Sequence, residues 1–134
     1  MKYSKALRKA ATIFKPVKGV WFKSDTEACA IAAIAYVMSG ATLSDIKDSF
    51  GKADNDFPKA LGDAANSTLR ITTPTLPVSN EEMIKGWNKF WEDAGNKPLP
   101  FPKTMSLGCA IMILNDGLGM EWSKMADWLE ANGQ

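Results

Sequence analysis

The chain has 134 residues, of which 46% are hydrophobic and 23% are charged, a composition typical of a soluble globular domain and not of a disordered protein. It contains no histidine, which excludes Ser-His-Asp and Cys-His catalysis by this chain, together with histidine-based zinc and haem sites. The net charge of +1 hides an asymmetry, because residues 1–23 carry seven bases and no acid, whereas residues 24–134 carry nine bases and fifteen acids.

The number of cysteines and the hydropathy of the chain indicate the cellular compartment in which the protein is expected. Two cysteines are too few for a disulfide framework, and the N-terminus is basic and amphipathic, unlike a secretory leader. The longest apolar run has eleven residues, well short of the roughly 20 that a transmembrane helix needs. We therefore expect a single helical domain over residues 1–134, in the cytoplasm of a bacterium or a phage-infected cell, without a metal or cofactor.

A basic helix is predicted for the N-terminal segment, residues 1–15, with its regular part at residues 4–14. Leu7, Ala10 and Phe14 fall on one side of this helix, and its charged residues fall on the opposite side. The charged side either docks on the acidic body of the chain or attracts an anionic partner, such as nucleic acid or a lipid surface. The bases that would contact such a partner are Lys5, Arg8, Lys9, Lys15 and Lys18.

The strongest helix signal is the run at residues 28–38, which is apolar on every side and is therefore typical of a helix surrounded by others. Ser24 and Glu27 have the spacing of a capping box, which predicts that the helix begins just after them. Ser39-Gly40 is a typical helix end. Residues 20–22 are predicted to form a short extended piece over the core.

Five further helices are predicted, and proline-containing connectors separate some of them. The helices cover residues 42–51, 57–67, 79–95, 104–114 and 121–131. The connectors cover residues 68–78 and 96–103, and a tight turn covers residues 115–119. Thr42 is predicted to cap the first of these helices, and Ser79 with Glu82 forms a second capping box. The connector at 68–78 is rich in β-branched residues and contains at most a short edge strand.

Together these elements predict an all-α fold, a compact single-domain bundle of six to seven helices around the central helix at residues 28–38. The two halves echo each other, since Cys29-Ala30-Ile31 opens one buried helix and Cys109-Ala110-Ile111 opens another. A turn and a short amphipathic helix follow each of them. A duplication with pseudo-twofold helical hairpins explains this echo, and so does the general similarity of buried hairpins.

Few candidate functional residues lie outside the basic helix. Cys29, near a helix start, is either an activated nucleophile or a small core side chain, and the absence of a histidine base favours the core. The same holds for Cys109. Asn115 and Asp116 in the predicted turn either close that turn or bind a cation or a ligand hydroxyl. No residue is assigned a catalytic or metal-binding role.

Five tryptophans are many for a chain of this length. Trp87 and Trp91 lie one helical turn apart, and Trp128 falls off the inward side of the last helix. Most tryptophans are expected in the core. With bases nearby, these three are the candidates for a protein-binding hot spot or for a stacking platform for single-stranded nucleic acid.

Three short motifs carry a family resemblance: Trp21, the sequence C-A-I-A-A-I at residues 29–34, and the sequence L-N-D-G-L-G at residues 114–119. They resemble an uncharacterised all-helical domain family of actinobacterial and phage proteins, which has a tryptophan, a C-A-L-G-A-L helix and a W-N-D-x-P-G turn. Ala32, Leu114 and Leu118 stand where that family has glycine, tryptophan and proline. The resemblance implies an all-helical fold and a phage-like setting, and no activity.

The leading hypothesis is a non-catalytic small binding protein, phage-encoded, that acts by docking onto a protein partner, for example by inhibiting a host enzyme or defence complex. The missing acid–base residues, the many tryptophans and the segregated charge favour it. Two alternatives stay open, namely nucleic-acid binding through the basic N-terminal helix and a carboxylate-dependent enzyme. A homodimer is open as well.

Overall fold

The computed structural model describes residues 1–52, 68–70 and 76–134 of the chain. Six α-helices lie in these ranges: α1 Tyr3–Ala10, α2 Ala30–Ser39, α3 Leu43–Lys52, α4 Asn80–Asp93, α5 Leu107–Met112 and α6 Trp122–Ala131. Five short strands lie there too: β1 Lys15–Pro16, β2 Phe22–Ser24, β3 Glu27–Ala28, β4 Thr68–Arg70 and β5 Thr104–Ser106. The helix predicted for residues 57–67 falls outside the described residues.

The prediction of an all-α fold is wrong, because the described residues form two sheets as well as helices. In the first sheet β3 lies in the middle, and it pairs in parallel with β1 and antiparallel with β2. In the second sheet β4 and β5 pair antiparallel. Strands of two or three residues are too short to show the alternation of apolar and polar side chains that predicts a strand. The sequence therefore missed β1, β3 and β5, whereas β4 lies in the connector where a short edge strand was allowed and β2 overlaps the predicted extended piece at residues 20–22.

The central helix is confirmed, with a different start. The predicted capping box is wrong, because Glu27 lies in β3, although Ser24 Oγ does donate a hydrogen bond to Glu27 Oε1 at 3.1 Å. Cys29 caps α2 instead, since its Sγ accepts the backbone N–H of Ala32 at 3.5 Å. The extended residues before the helix therefore continue to Ala28, and the thiol lies at the helix terminus.

The predicted end of the central helix and two other caps are confirmed. Gly40 ends α2 in the left-handed conformation, with φ of 66°. Thr42 Oγ1 accepts the N–H of Asp45 at 3.2 Å before α3, and Ser79 Oγ accepts the N–H of Glu82 at 3.2 Å before α4. Side-chain oxygens at these positions satisfy backbone donors that the first helical turn leaves free. Local sequence thus determines these helix starts.

The core lies around α2, as predicted. The first six residues of this helix are buried on all sides, and they are Ala30, Ile31, Ala32, Ala33, Ile34 and Ala35. Helix α1 packs its apolar side, with Leu7 fully buried, against α2 and α6. The backbone N–H of Ser4 donates to the carbonyl oxygen of Gln134 at 3.0 Å, which joins the first helix to the end of α6.

The predicted helix at residues 104–114 begins later than expected and changes its form. Residues 104–106 are β5, and Ser106 Oγ caps α5 by accepting the N–H of Cys109 at 3.1 Å. Helix α5 then continues directly into a π-helix, Ile113–Gly117, where a tight turn was predicted. Cys109 is the third residue of its helix while Cys29 is a cap, so the two cysteines of the proposed duplication hold different helix positions.

A pair of glycines brings α4 and the π-helix into backbone contact. A Cβ atom on Gly117 would collide with the carbonyl group of Gly86. A Cβ atom on Gly86 would lie 2.7 Å from Cγ of Leu118. Only residues without a side chain permit this approach, and it fixes the position of the π-helix, which carries Asn115 and Asp116.

Candidate functional site

The basic N-terminal helix packs on α6, and Arg8 forms ion pairs at the exposed side of this contact. Its Nη2 atom lies 2.8 Å from Asp127 Oδ1 and 3.1 Å from Glu130 Oε2, and both acids belong to α6. Lys5 and Lys9, the other predicted contacts on this helix, are exposed. Of the two alternatives for this face, docking on the acidic body therefore applies to Arg8, whereas Lys5 and Lys9 face solvent.

The three predicted surface tryptophans lie mainly in the interior. Trp87 is 7% exposed and donates its Nε1–H to the carbonyl oxygen of Leu99 at 2.7 Å. Trp91 is partly buried and packs edge-on against Trp87, with ring centroids 5.6 Å apart. Trp128 is 6% exposed, although the helical periodicity predicted an outward position. These side chains are packing residues, and only Trp128 belongs to a helix that packs on the basic helix α1.

A cavity of about 830 Å³ lies between the first sheet, α3, α4 and the π-helix. Four aromatic side chains form what we call its aromatic walls, and they are Trp21, Phe22, Phe50 and Phe90. Three other lining residues form its polar end, and they are Lys18, Cys29 and Asp116. Lys15 and Lys18 were both predicted as surface bases, but of these two only Lys18 lines the cavity, while Lys15 belongs to β1.

The first sheet positions the loop of residues 18–21, which lines one part of the cavity. Val17 N–H donates to the carbonyl oxygen of Ala28 at 3.1 Å, and Cys29 N–H donates to that of Trp21 at 2.9 Å. Gly19, between these two anchors, has a φ of 77°, a conformation that residues with a Cβ rarely adopt. The loop can therefore turn sharply, so that Lys18 and Trp21 line the same cavity as Cys29.

Three of the four aromatic side chains in the walls pack against one another, and they come from different parts of the chain. The ring of Phe50, in α3, lies 5.0 Å from that of Trp21 and 5.8 Å from that of Phe22. Phe90 comes from α4 and packs edge-on against Trp91, with ring centroids 5.4 Å apart. Tilted and edge-on arrangements at such separations are favourable for aromatic pairs, so the wall formed by Trp21, Phe22 and Phe50 is preformed.

Asn115 is the centre of a buried hydrogen-bond network behind the polar end. It is 4% exposed, and its Nδ2 donates to the carbonyl oxygen of Val17 at 2.9 Å and to Asp116 Oδ1 at 2.6 Å. Its Oδ1 accepts Nε1–H of Trp122 at 3.0 Å. The side-chain amide thus connects the loop, the π-helix and α6, and it orients the Asp116 carboxylate. π-helical turns occur frequently at functional sites.

Asp116 is a partly buried carboxylate with opposing influences on its protonation. Burial raises the pKa of this carboxyl group above its ordinary value. The hydrogen bond from Asn115, the backbone N–H of Gly19 and the positive charge of Lys18 act in the opposite direction and compensate only in part. The group therefore lacks some of the stabilisation that water would give its ionised form.

Cys29 is a protonated, weakly reactive thiol. Burial, with a smaller contribution from the charge of Asp116, raises the pKa of this thiol to about 12, against the lowering effect of the Ala32 N–H. The nucleophilic form of cysteine is the thiolate, so Cys29 is a weak nucleophile at neutral pH. Cys109 is partly buried and its pKa is also raised by burial. The sequence favoured core positions for both, and it missed that Cys29 also lines a cavity.

Comparison with protein-family models, with curated proteins and with solved structures finds no match to the chain. The family resemblance of the three short motifs stays a prediction. Among the described residues no group of three or more His, Cys, Asp or Glu side chains is arranged to hold a metal ion. No helix in those ranges is long and apolar enough to cross a membrane.

The sequence contained part of the signal for this site. Asn115 and Asp116 were candidates for a ligand contact, and the structure places Asp116 on the cavity with Asn115 directly behind it. The aromatic walls were missed because Trp21, Phe22 and Phe50 belong to two elements that are distant in sequence. A local signal for a lining loop is Gly19, which one residue separates from the aromatic pair Trp21-Phe22.

Proposed function

We propose that this chain is a non-catalytic binding protein whose cavity holds a small amphipathic molecule. The observation that carries the proposal is the cavity of about 830 Å³ with aromatic walls and a polar end. Pockets that bind small molecules measure roughly 300–1,000 Å³, are mostly apolar, and contain a few convergent polar groups. This cavity has each of these properties.

The distribution of polar and apolar side chains supports an amphipathic ligand. The aromatic walls and Met112 offer faces against which an apolar or aromatic group can pack. Asp116 and Lys18 offer hydrogen-bonding groups at the polar end. A ligand with one apolar part and one polar group would satisfy both regions, since apolar contact contributes affinity and the polar contacts determine orientation.

The protonation of Cys29 favours binding over covalent chemistry at the same site. A thiol with a pKa of about 12 is protonated at neutral pH, and the chain contains no histidine to remove its proton. Covalent catalysis requires a nucleophile activated by a base or by a lowered pKa. The polar end provides neither for Cys29, so we assign the cavity a binding role.

Blocking the cavity tests this proposal. The probes are tryptamine, tryptophol and indole-3-propionate, which share an indole and differ in an ammonium, hydroxyl or carboxylate group. Ala94→Trp places a bulky side chain at the cavity lining, and Ala11→Trp makes the same change at an exposed helix end elsewhere. Isothermal titration calorimetry should detect binding of at least one probe to the wild type and to Ala11→Trp, and none to Ala94→Trp. Failure of every probe, or equal binding to both variants, would contradict the proposal.

Nucleic-acid binding through α1 is a second proposal, favoured by the exposure of Lys5 and Lys9 on a segment without acids. A gel shift should then weaken steeply with salt, because each phosphate contact releases counterions. The Lys5→Ala/Lys9→Ala variant should lose the shift, and Lys124→Ala, at another exposed lysine, should keep it. Docking onto a host or phage protein stays a prediction, which affinity capture with mass spectrometry tests.

A further inference from the structure

We infer that the ligand of the cavity is an organic cation, a molecule whose protonated amine pairs with Asp116 while its apolar or aromatic body packs against the aromatic walls. The inference rests on the proposed function and specifies the class of ligand. The inference follows from the charged side chains that line the cavity. Some of them already pair with protein groups, and the others can contact a ligand.

The Asp116 carboxylate has acceptor capacity that internal contacts leave unused. Asn115 donates to Oδ1 at 2.6 Å, and the backbone N–H of Gly19 is its other hydrogen-bond donor. An ionised carboxylate offers about four acceptor sites, so roughly half of them remain. Among the described residues no lysine or arginine forms an ion pair with Asp116. A charged donor from a ligand would fill this position.

Among the described residues four charged side chains line the cavity, and two of them already form ion pairs. Lys47 Nζ lies 2.9 Å from Asp25 Oδ1, and Asp93 Oδ2 lies 3.2 Å from Lys89 Nζ. Asp116 and Lys18 remain as the charges that a ligand can use. Asp116 is partly buried and Lys18 is exposed, so solvent screens the lysine more strongly and the carboxylate dominates the polar end.

The terminus of α2 does not offer the anion site that its position at the cavity implies. A helix N-terminus attracts anions through its free backbone N–H groups. Here Cys29 Sγ accepts the N–H of Ala32 at 3.5 Å, so the thiol occupies the position that an anion would take. A carboxylate ligand would have to displace a buried side chain, whereas a cation meets no such obstacle.

The aromatic walls add to the preference for a cation. Ring faces carry partial negative charge, and tryptophan attracts cations most strongly among the aromatic side chains. Trp21 and Phe50, at 5.0 Å, stand on the same cavity as Asp116. The raised pKa of Asp116 agrees with this arrangement, since a neighbouring cation would restore the stabilisation that burial removes from its ionised form.

The three indole probes separate this inference from the proposed function. Calorimetry at pH 7 should give the wild type a preference of about tenfold to a hundredfold for tryptamine over tryptophol, the range expected for a charged hydrogen bond. Indole-3-propionate should bind more weakly than tryptophol. Asp116→Asn keeps the size of the side chain and removes its charge, so it should bind tryptamine and tryptophol equally. A cooperative urea transition, measured separately, would show that the Asp116→Asn variant is folded.

Lys18→Met gives an independent readout that does not depend on folding of the Asp116 variant. Removal of the exposed cation should strengthen tryptamine binding, because it removes repulsion of the ligand and competition for Asp116. Equal binding of all three probes to the wild type, with loss in Ala94→Trp, would overturn the cation inference and keep the proposed function. Tightest binding of indole-3-propionate, lost in Lys18→Met, would also overturn it. Failure of all three probes would overturn both.

Discussion

The contact of α1 with α6 and the surroundings of the cavity are built on different principles. At the first, two regular helices bury apolar side chains such as Leu7, and their charges meet at the surface, where Arg8 pairs with Asp127 and Glu130. Around the cavity, strands of two or three residues and a π-helix hold a buried polar network centred on Asn115. The comparison teaches that the two regions have different roles. Regular helices such as α1 and α6 contribute stability by burying apolar side chains, whereas the short strands and the π-helix present polar groups to the cavity.

The largest loss of stability is expected at the contact of α1 with α6. Leu7 is fully buried, and Leu7→Ala should lower the free energy of unfolding by about 3 kcal/mol, because it removes apolar contacts and leaves a void. Urea unfolding measures this change. Arg8→Ala on the same helix is the control, and its urea midpoint should stay within error, since exposed ion pairs contribute little. A larger loss for Arg8→Ala than for Leu7→Ala would show that charge, and not burial, maintains this contact.

The next largest effect is expected where the two regions join, at the contact between α4 and the π-helix. Gly117→Ala should cost about 2–3 kcal/mol, because its Cβ would meet backbone that cannot move aside. Gly86→Ala should cost less, since the nearest atom to its Cβ is in the side chain of Leu118. The urea midpoints of the two variants test this order. Equal and small losses would mean that the glycine contact does not fix the π-helix.

Asn115→Ala should destabilise the protein by about 2 kcal/mol through a different cause. The change leaves Nε1–H of Trp122 and the carbonyl oxygen of Val17 without their partner, and a buried polar group without a hydrogen bond is costly. Asn88→Ala, at a partly buried asparagine of α4, is the matched control and should change stability little. Urea unfolding followed by tryptophan fluorescence would report both. A neutral Asn115→Ala substitution would contradict the role of this network.

The smallest expected effect is a pH dependence due to Asp116. The pKa of this group is raised in the folded state, so the unfolded state loses its proton first as the pH rises from about 3.9. The contribution of Asp116 to stability therefore falls between that pH and the raised folded pKa, and it stays lower above it. Asp116→Asn has no ionisable group at this position and does not lose stability in this way. The free energy of unfolding of the variant minus that of the wild type should therefore increase with pH between the unfolded and the folded pKa of Asp116. A difference that stays constant from pH 3 to pH 7 would contradict the raised pKa.

The same comparison explains how much could be predicted from sequence. Helix starts at Thr42 and Ser79, the end of α2 at Gly40 and the buried centre of the fold follow from local patterns, and the structure confirms them. The residues that determine each of these features lie within a few positions of one another in sequence. The positions of these regular helices therefore agree largely with what their local sequences predict.

The cavity could not be predicted in this way, because the residues whose contacts form it are distant in sequence. β1 and β3 are two residues long and exist through pairing with each other, and Asn115 reaches Val17 across 98 positions. The Ser24–Glu27 spacing predicted a helix cap, but pairing of β3 with β1 and β2 took precedence and moved the cap to Cys29. Tertiary contacts of this kind override local preference.

The binding role of the cavity requires a ligand that enters it and meets Asp116, and a nitrogen-15 NMR titration of the full chain with tryptamine tests this most directly. Chemical shifts of the backbone amides of Gly19, Trp21, Cys29 and Asp116 should change together and saturate, while those of Lys5 and Lys9 on α1 stay constant. The Ala94→Trp variant should lose these changes. Shifts that leave the cavity residues unaffected, or that follow the charged surface of α1, would contradict the assignment of the cavity as the binding site.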